Sequence, residues 1–308
     1  MEAGPAREKT PMSNAPVTKE SHTYARYLQL GKLLSAQVTM TGSDDELLFI
    51  IMHQSHELWF KLSIHELTCA IDALMRQDSG DHCLMAYKRL CRVSEIQHLL
   101  IQSWDVLATL TPDEFHVFRD TVGRNGASGF QSVQYRVFEF KMGLKYSNMK
   151  IMKPAGSEKI PVDAYAETEE DRLAIKEALK QPGIYDATID YMARLPGNRI
   201  RARRDNDYSS RHRRSQTVFE AWRHVYRNRD QAPELYQLGE KLVDLEDAFR
   251  RWRFAHLATV SRVIGINRGT GGSSGLPYLQ AIANQLITHP LYPELWEVRN
   301  AMFRRDSQ

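Results

Sequence analysis

Leu242-Val-Asp-Leu245-Glu-Asp-Ala-Phe249-Arg-Arg-Trp252-Arg-Phe-Ala-His256-Leu-Ala-Thr-Val260-Ser-Arg-Val263 is the stretch that decides the fold. Leu242, Leu245, Phe249, Trp252, His256, Val260 and Val263 recur at steps of three or four residues. That spacing is one stripe of an amphipathic helix. Glu246, Asp247, Arg250, Arg251 and Arg253 fall on its other faces. The helix carries one histidine in its apolar stripe and runs toward the glycine-rich segment Asn267-Arg-Gly-Thr270-Gly-Gly-Ser-Ser-Gly275.

The same period recurs along most of the chain. It predicts helices over 24–36, 44–77, 82–109, 112–122, 132–142, 168–180, 183–193, 217–227, 233–264 and 277–286. Thr111-Pro112-Asp113-Glu114 supplies a cap, a proline in the first turn and two acids, which together start a helix. No alternating run is long enough for a sheet, so the expected class is all-α. The helices over 44–77 and 82–109 are joined by the short loop Asp78-Ser-Gly-Asp81 and are expected to lie antiparallel. With the 233–264 helix they frame a helical bundle, a place where cofactors sit between facing helices.

Composition narrows the class. A net charge of +3 over 308 residues does not advertise nucleic-acid binding, and 42% hydrophobic with 26% charged residues is ordinary for a globular protein. Cys69, Cys83 and Cys91 are sparse, odd in number and without a C-x-x-C pair, which argues against a disulfide framework. No segment is apolar for long enough to span a bilayer. The expected location is cytoplasmic, with no membrane and no nucleic-acid partner. Residues 1–22 read as a flexible leader, 23–308 as one helical domain, and 150–216 as a peripheral helical insert. Arg199 to Arg214 contains seven arginines and reads as a solvated surface loop, with a phosphate-binding patch as the alternative.

Candidate chemistry gathers at a few positions. His256, neutral among apolar neighbours, suits an axial ligand to haem iron; a core histidine bonded to a backbone carbonyl fits the same spacing. Phe49 and His53 are four residues apart and share a helix face. His53, His56 and Glu57 occur in the order H-x-x-H-E, not the H-E-x-x-H of a zinc helix, and His56 turns off the Phe49–His53 line. Arg119 precedes the loop Gly123-Arg-Asn-Gly-Ala-Ser-Gly129, and its planar fork suits a carboxylate; an ion pair with Asp120 or Glu114 is the alternative. The second glycine loop resembles neither a P-loop nor a dinucleotide fingerprint.

Taken in order, these segments resemble the tryptophan 2,3-dioxygenase family over most of the chain, from about Tyr24 to Leu295. The resemblance rests on Tyr24-Ala-Arg-Tyr27-Leu-Gln-Leu with Leu34-Ser-Ala-Gln37, and on Phe49-Ile-Ile-Met-His53-Gln-x-x-Glu57-Leu-Trp-Phe-Lys61. It continues through Trp104-x-x-Leu107-Ala-Thr-Leu-Thr-Pro112, Phe118-Arg119, Ser128-Gly-Phe-Gln-Ser132 with Gln134-Tyr-Arg136, Trp252-Arg-Phe-x-His256 and Arg268-Gly-Thr270-Gly-Gly.

That resemblance implies an all-helical fold with haem b between helices and His256 as the axial ligand to its iron. It implies that His53 meets the indole N–H, that Arg119 clamps the substrate carboxylate and that Thr270 bonds the amino-acid end. Phe49 would wall the indole, together with Tyr24 and Tyr27 contributed by a neighbouring subunit of a homotetramer. Ser128 and Trp104 would lie near the haem, with Ser128 also beside the substrate. The implied reaction is dioxygenation of L-tryptophan to N-formylkynurenine. The alternatives are a mono-oxygenating relative, working with dioxygen or peroxide on an aromatic amino acid, and a non-enzymatic sensor. The chain departs from the family pattern at Gly31 (usually aspartate), Ala255 (commonly arginine) and Asn267 (commonly lysine). Phe115 stands where some members have tyrosine, and the loop from Gly123 to Ser128 is about two residues longer than the pattern.

Overall fold

A computed structural model describes residues 23–124, 128–145, 150–152, 159–161, 163–164, 166–197, 199–200, 207–267 and 275–303. The chain divides into two units, Met1–Val38 and Thr39–Gln308. In the first, the Thr23 hydroxyl caps α1 (Tyr24–Tyr27) and Gln29 separates it from α2 (Leu30–Leu33). Gln29 adopts φ 52°, in the left-handed region, and its side-chain amide donates to the Arg26 carbonyl at 2.7 Å. The single helix expected over 24–36 is therefore two short turns. Tyr24, Tyr27, Leu34 and Val38 are all exposed.

The second unit is built on three long helices. These are α3 (Asp45–Met75), α4 (His82–Leu107) and α10 (Pro233–Val263), with α4 packed against both of the others. His56 meets Leu100 and Ser103, while Glu66 meets Arg89 and Arg92, so α3 and α4 run antiparallel as the short loop requires. Their facing leucines and small residues are wholly buried, among them Leu67, Leu74, Ala86, Leu90, Leu238 and Leu242. Each buried leucine contributes on the order of 1.5–3 kcal/mol. Around this frame, α6 (Val133–Met142) and α8 (Ile184–Arg194) pack on α3, and α11 (Leu276–Thr288) packs on α10. The remaining helices are α5 (Pro112–Arg124), α7 (Glu169–Lys180), α9 (Gln216–Arg227) and α12 (Pro293–Phe303), and α9 and α12 pack together. Among the described residues no helix is long and apolar enough to cross a membrane.

The architecture is all-α, with departures from the sequence reading. A small antiparallel hairpin pairs β1 (Lys150–Met152) with β2 (Lys159–Pro161), too short for an alternating pattern to announce it. Helix α12 is absent from the expected set, although Pro293-Glu294 starts it and Leu295 and Val298 are fully buried. Within the stretch read as peripheral, α8 buries Ile184, Tyr185, Ala187, Thr188 and Met192 against its neighbours. Glu246, Arg250 and Arg253, placed on polar faces by the spacing, are buried. The reason is that α10 is covered on more than one side.

Glu246 shows how that burial is made tolerable. Its carboxylate accepts from Leu291 N (2.8 Å), Tyr292 N (3.1 Å), Trp296 Nε1 (2.9 Å) and Arg250 Nη2 (2.5 Å). One side chain thereby ties α10 to the start of α12. Part of the arginine-rich stretch docks on the same region. Arg211 donates to the carbonyls of His289 and Pro290, and Arg214 grips Glu297 with two bonds of 2.8 Å; residues 201–206 lie outside the described residues. Replacing Glu246 by Ala strands these buried donors, and the expected cost is about 3–5 kcal/mol, read as a fall in the urea midpoint of unfolding. A midpoint equal to that of the parent would show that the Glu246 junction carries no stability.

Candidate active site

The helices of the second unit enclose a cavity of about 520 Å³. Phe49, His53, His56, Glu57 and Phe60 of α3 border it, as do Trp104 and Leu107 of α4 and Phe115, Phe118 and Arg119 of α5. Ser128 to Ser132, Tyr135, Arg136 and Glu139 close one side, and Trp252, Arg253, His256, Val260 and Val263 of α10 another. Tyr278 and Ile282 of α11 complete the wall. The volume is in the range of small-molecule and cofactor sites, and the lining has the same mainly apolar character with few polar groups.

His53 sits where the helix period puts it, one turn after Phe49, with ring centroids 4.1 Å apart. Its Nδ1 lies 2.8 Å from the Phe49 carbonyl. A carbonyl only accepts, so the proton resides on Nδ1 and Nε2 keeps a lone pair. Burial pushes the imidazole below its ordinary pKa, against the Phe49 bond and the charge of Glu57, which raise it. His53 is thus a neutral hydrogen-bond acceptor.

His256 occupies the cavity from α10. Its ring stacks on Trp104 at 4.5 Å between centroids and 12° between planes. Burial depresses its pKa to about 3, with His53, His56 and Arg253 adding to the effect. Neither ring nitrogen meets a hydrogen-bond partner among the described residues. The core-histidine alternative, with a backbone carbonyl as partner, is therefore not what the fold builds. The indole nitrogens of Trp104 and Trp252 are likewise buried without a partner.

Arg119 borders the same cavity with its Nε buried. Glu114 accepts from Thr111 N at 2.8 Å at the start of α5. Ser128 lines the cavity and caps the 3₁₀ turn Gly129–Gln131, in a box that also engages the Gln131 side chain. Of the remaining sequence candidates, Thr270 lies outside the described residues, and Tyr24 and Tyr27 belong to the first unit.

Several lining residues escaped the sequence reading. His56, read as turned away, is buried in the wall beside Trp104, at 5.0 Å between centroids. Residues three apart are neighbours on a helix, and the cavity is wide enough to take both. Its Nε2 is 2.6 Å from Ser103 Oγ, and burial lowers its pKa to about 4. Arg253 and Arg136 both bond Glu139, the former at 2.6 Å, which sets two guanidinium groups against one carboxylate in this part of the wall. Tyr278 and Ile282 could be found only by knowing that α11 folds back on α10.

A profile of the family described as tryptophan 2,3-dioxygenase matches residues 10–215 and 198–302. The chain is 41% identical to the tryptophan 2,3-dioxygenase of Bacillus thuringiensis subsp. konkukian (strain 97-27) over 285 residues, covering 92% of this chain and 94% of that one. It is 42% identical to the tryptophan 2,3-dioxygenase of Paraburkholderia phytofirmans over 283 residues, covering 92% and 85% respectively. Similarity of this depth and extent, on a helical frame that brings the motif residues of three helices to one cavity, establishes that the chain belongs to the tryptophan 2,3-dioxygenase family.

Proposed function

We propose that this protein is a haem-dependent dioxygenase that adds both atoms of dioxygen across C2 and C3 of the indole of L-tryptophan, yielding N-formylkynurenine. The observation that carries the reading is one cavity bordered by neutral imidazoles from two helices and a guanidinium from a third. Family membership supports the same reaction, and the relatives, themselves tryptophan 2,3-dioxygenases, do not favour mono-oxygenation.

The residues present fit haem b. The His256 imidazole, without a hydrogen-bond partner among the described residues, offers its lone pair to iron. The orphaned Trp104 and Trp252 N–H groups and the excess of guanidinium over carboxylate suit a group carrying acidic side chains. On this reading His256 holds the iron, and the stacked Trp104 restrains the imidazole ring. When bound, haem supplies the reduced iron at which dioxygen is taken up and activated.

The chain's own contribution is binding and orientation. Phe49, Phe115 and Phe118 pack together, with centroids 5.2–5.8 Å apart, and offer the indole an apolar wall. His53 Nε2 accepts the indole N–H and so fixes which edge of the ring is presented. Arg119 clamps the carboxylate, and Ser128 lies beside the substrate. Thr270 bonds the amino-acid end. Tyr24 and Tyr27, exposed within their own unit, reach the site of a neighbouring subunit in a homotetramer. The three free thiols accord with a reducing, cytoplasmic setting.

Reduced, haem-loaded protein incubated with L-tryptophan and dioxygen is expected to give a product heavier by two oxygen atoms; a gain of one would refute dioxygenation. His256→Ala is expected to lose the Soret band of bound haem, and an unchanged spectrum would remove the axial-ligand assignment. Arg119→Ala is expected to cost about 3 kcal/mol of tryptophan binding, roughly a hundredfold, measured by spectral titration; unaltered affinity would discard the clamp. Because burial keeps His53 below its ordinary value, kcat/KM should stay flat as pH falls through 6.5. It should decline only in more acid solution, where a proton on Nε2 destroys the acceptor. An acid limb centred at or above 6.5 would contradict this role.

A further inference from the structure

Glu57 lies one helical turn beyond His53 on α3 and borders the same cavity. Its carboxylate is held by neutral donors. Oε1 accepts from Ser132 Oγ at 2.6 Å, and Oε2 accepts from Gln134 Nε2 at 2.9 Å. The same amide also donates to the Glu57 carbonyl at 2.9 Å. Ser132 Oγ in turn accepts from Tyr135 N at 3.0 Å, so the hydroxyl that caps α6 is itself aimed by Glu57. A carboxylate at that helix N-terminus is also favoured by the macrodipole.

The segment just before this anchor is a short strap made of local bonds. Ser128 N donates to Gln131 Oε1 at 2.8 Å, and Phe130 N to Ser128 Oγ at 3.4 Å. Every residue from Ser128 to Ser132 borders the cavity. Glu57 is therefore the side chain that joins the helix bearing Phe49 and His53 to the strap bearing Ser128 and Phe130. We propose that Glu57 is a positioning residue of this site, setting the register of the 128–132 strap against His53 and so the width of the slot that receives the amino acid. The inference rests on the reading of the cavity as an aromatic amino-acid site.

The chemistry of replacement is specific. Glutamine at this position keeps the size but must turn its NH2 toward either the Gln134 amide or the Ser132 hydroxyl. One of the donors then loses its acceptor. Alanine removes both acceptors.

The test uses the full-length, haem-loaded protein, with L-tryptophan affinity read from perturbation of the haem spectrum, alongside KM, kcat and haem content. Wild-type protein that neither binds nor turns over L-tryptophan would sink the substrate reading, and this inference with it. With wild type active, Glu57→Ala is expected to raise Kd and KM tenfold or more, because both charge-assisted acceptors are lost at once. Its kcat should stay within about threefold and its haem content should be unchanged. Glu57→Gln should fall between wild type and Glu57→Ala. Adding Ser132→Ala to Glu57→Ala should cost less than Ser132→Ala costs alone, because the bond between the two is already lost and only the cap to Tyr135 N remains to be removed. Affinity within twofold of wild type in Glu57→Ala, or a loss confined to kcat or haem content, overturns the proposal. If Glu57→Ala fails to fold, Glu57→Gln and Gln134→Leu decide by the same readout: a raised KM at normal haem content supports it, and an unchanged KM refutes it.

Discussion

Neutrality of buried imidazole is the constraint on which this structure turns. A histidine gives its lone pair to a metal or to an N–H only while it is unprotonated. Here desolvation enforces that state, holding His256 at about 3 and His56 at about 4 and pushing His53 below its ordinary value. The rings also reinforce one another, because a charge on any of them would raise the cost of a charge on the next. His53 and His56 both act on His256 in this sense, and Arg253 adds to it. An apolar cavity wall is thus the means by which nitrogen acceptors are kept available, as well as a surface for an aromatic ligand.

An apolar cavity inside a helical bundle invites collapse, and the fold resists it with carboxylates at the junctions between helices. Glu246 joins α10 to the start of α12, Glu139 joins α6 to α10 through Arg253, and Glu57 joins α3 to the residues before and within α6. Buried ionic groups of this kind contribute little net stability against a well-packed apolar alternative. What they provide is register. Each carboxylate accepts from donors on a different segment, so sliding one helix past another would strand several buried donors at once. The helices α3, α6 and α10 that wall the cavity are the ones so fastened.

Much of this was legible in the chain because the signals are local. The stripe from Leu242 to Val263 sets α10, the Thr111 box starts α5, and the four-residue step from Phe49 puts His53 on the cavity side of α3. What escaped depends on contacts distant in sequence. Glu246 and Arg253 have charged side chains and read as solvent-facing, yet each is buried because a segment distant in sequence brings its donors or acceptors. Helix α8 reads as peripheral from its polar surroundings and is nevertheless packed on α3. The angular position of His56 on the helix turns it off the Phe49–His53 line, which would exclude it from a narrow groove but not from a wide cavity. The break at Gln29 follows from one left-handed residue, which neither propensity nor periodicity marks.

Two of the positions expected to depart from the family pattern, Phe115 and Asn267, border the cavity. Ala255 places a small apolar side chain beside the core, and Asn267 donates to its own helix end at Ile264 O (2.9 Å). Phe115 packs edge-on against Phe118, with centroids 5.2 Å apart, and offers no hydroxyl. A flat apolar ligand in such a site has few polar groups competing for it. On the proposed reading its orientation follows from separate anchors: the Nε2 lone pair of His53, whose tautomer is set by the Nδ1 bond to the Phe49 carbonyl, and the planar guanidinium of Arg119. Two directional contacts at different parts of a rigid aromatic amino acid suffice to fix both its position and which ring edge it presents, and the apolar wall between them supplies affinity without adding a third direction.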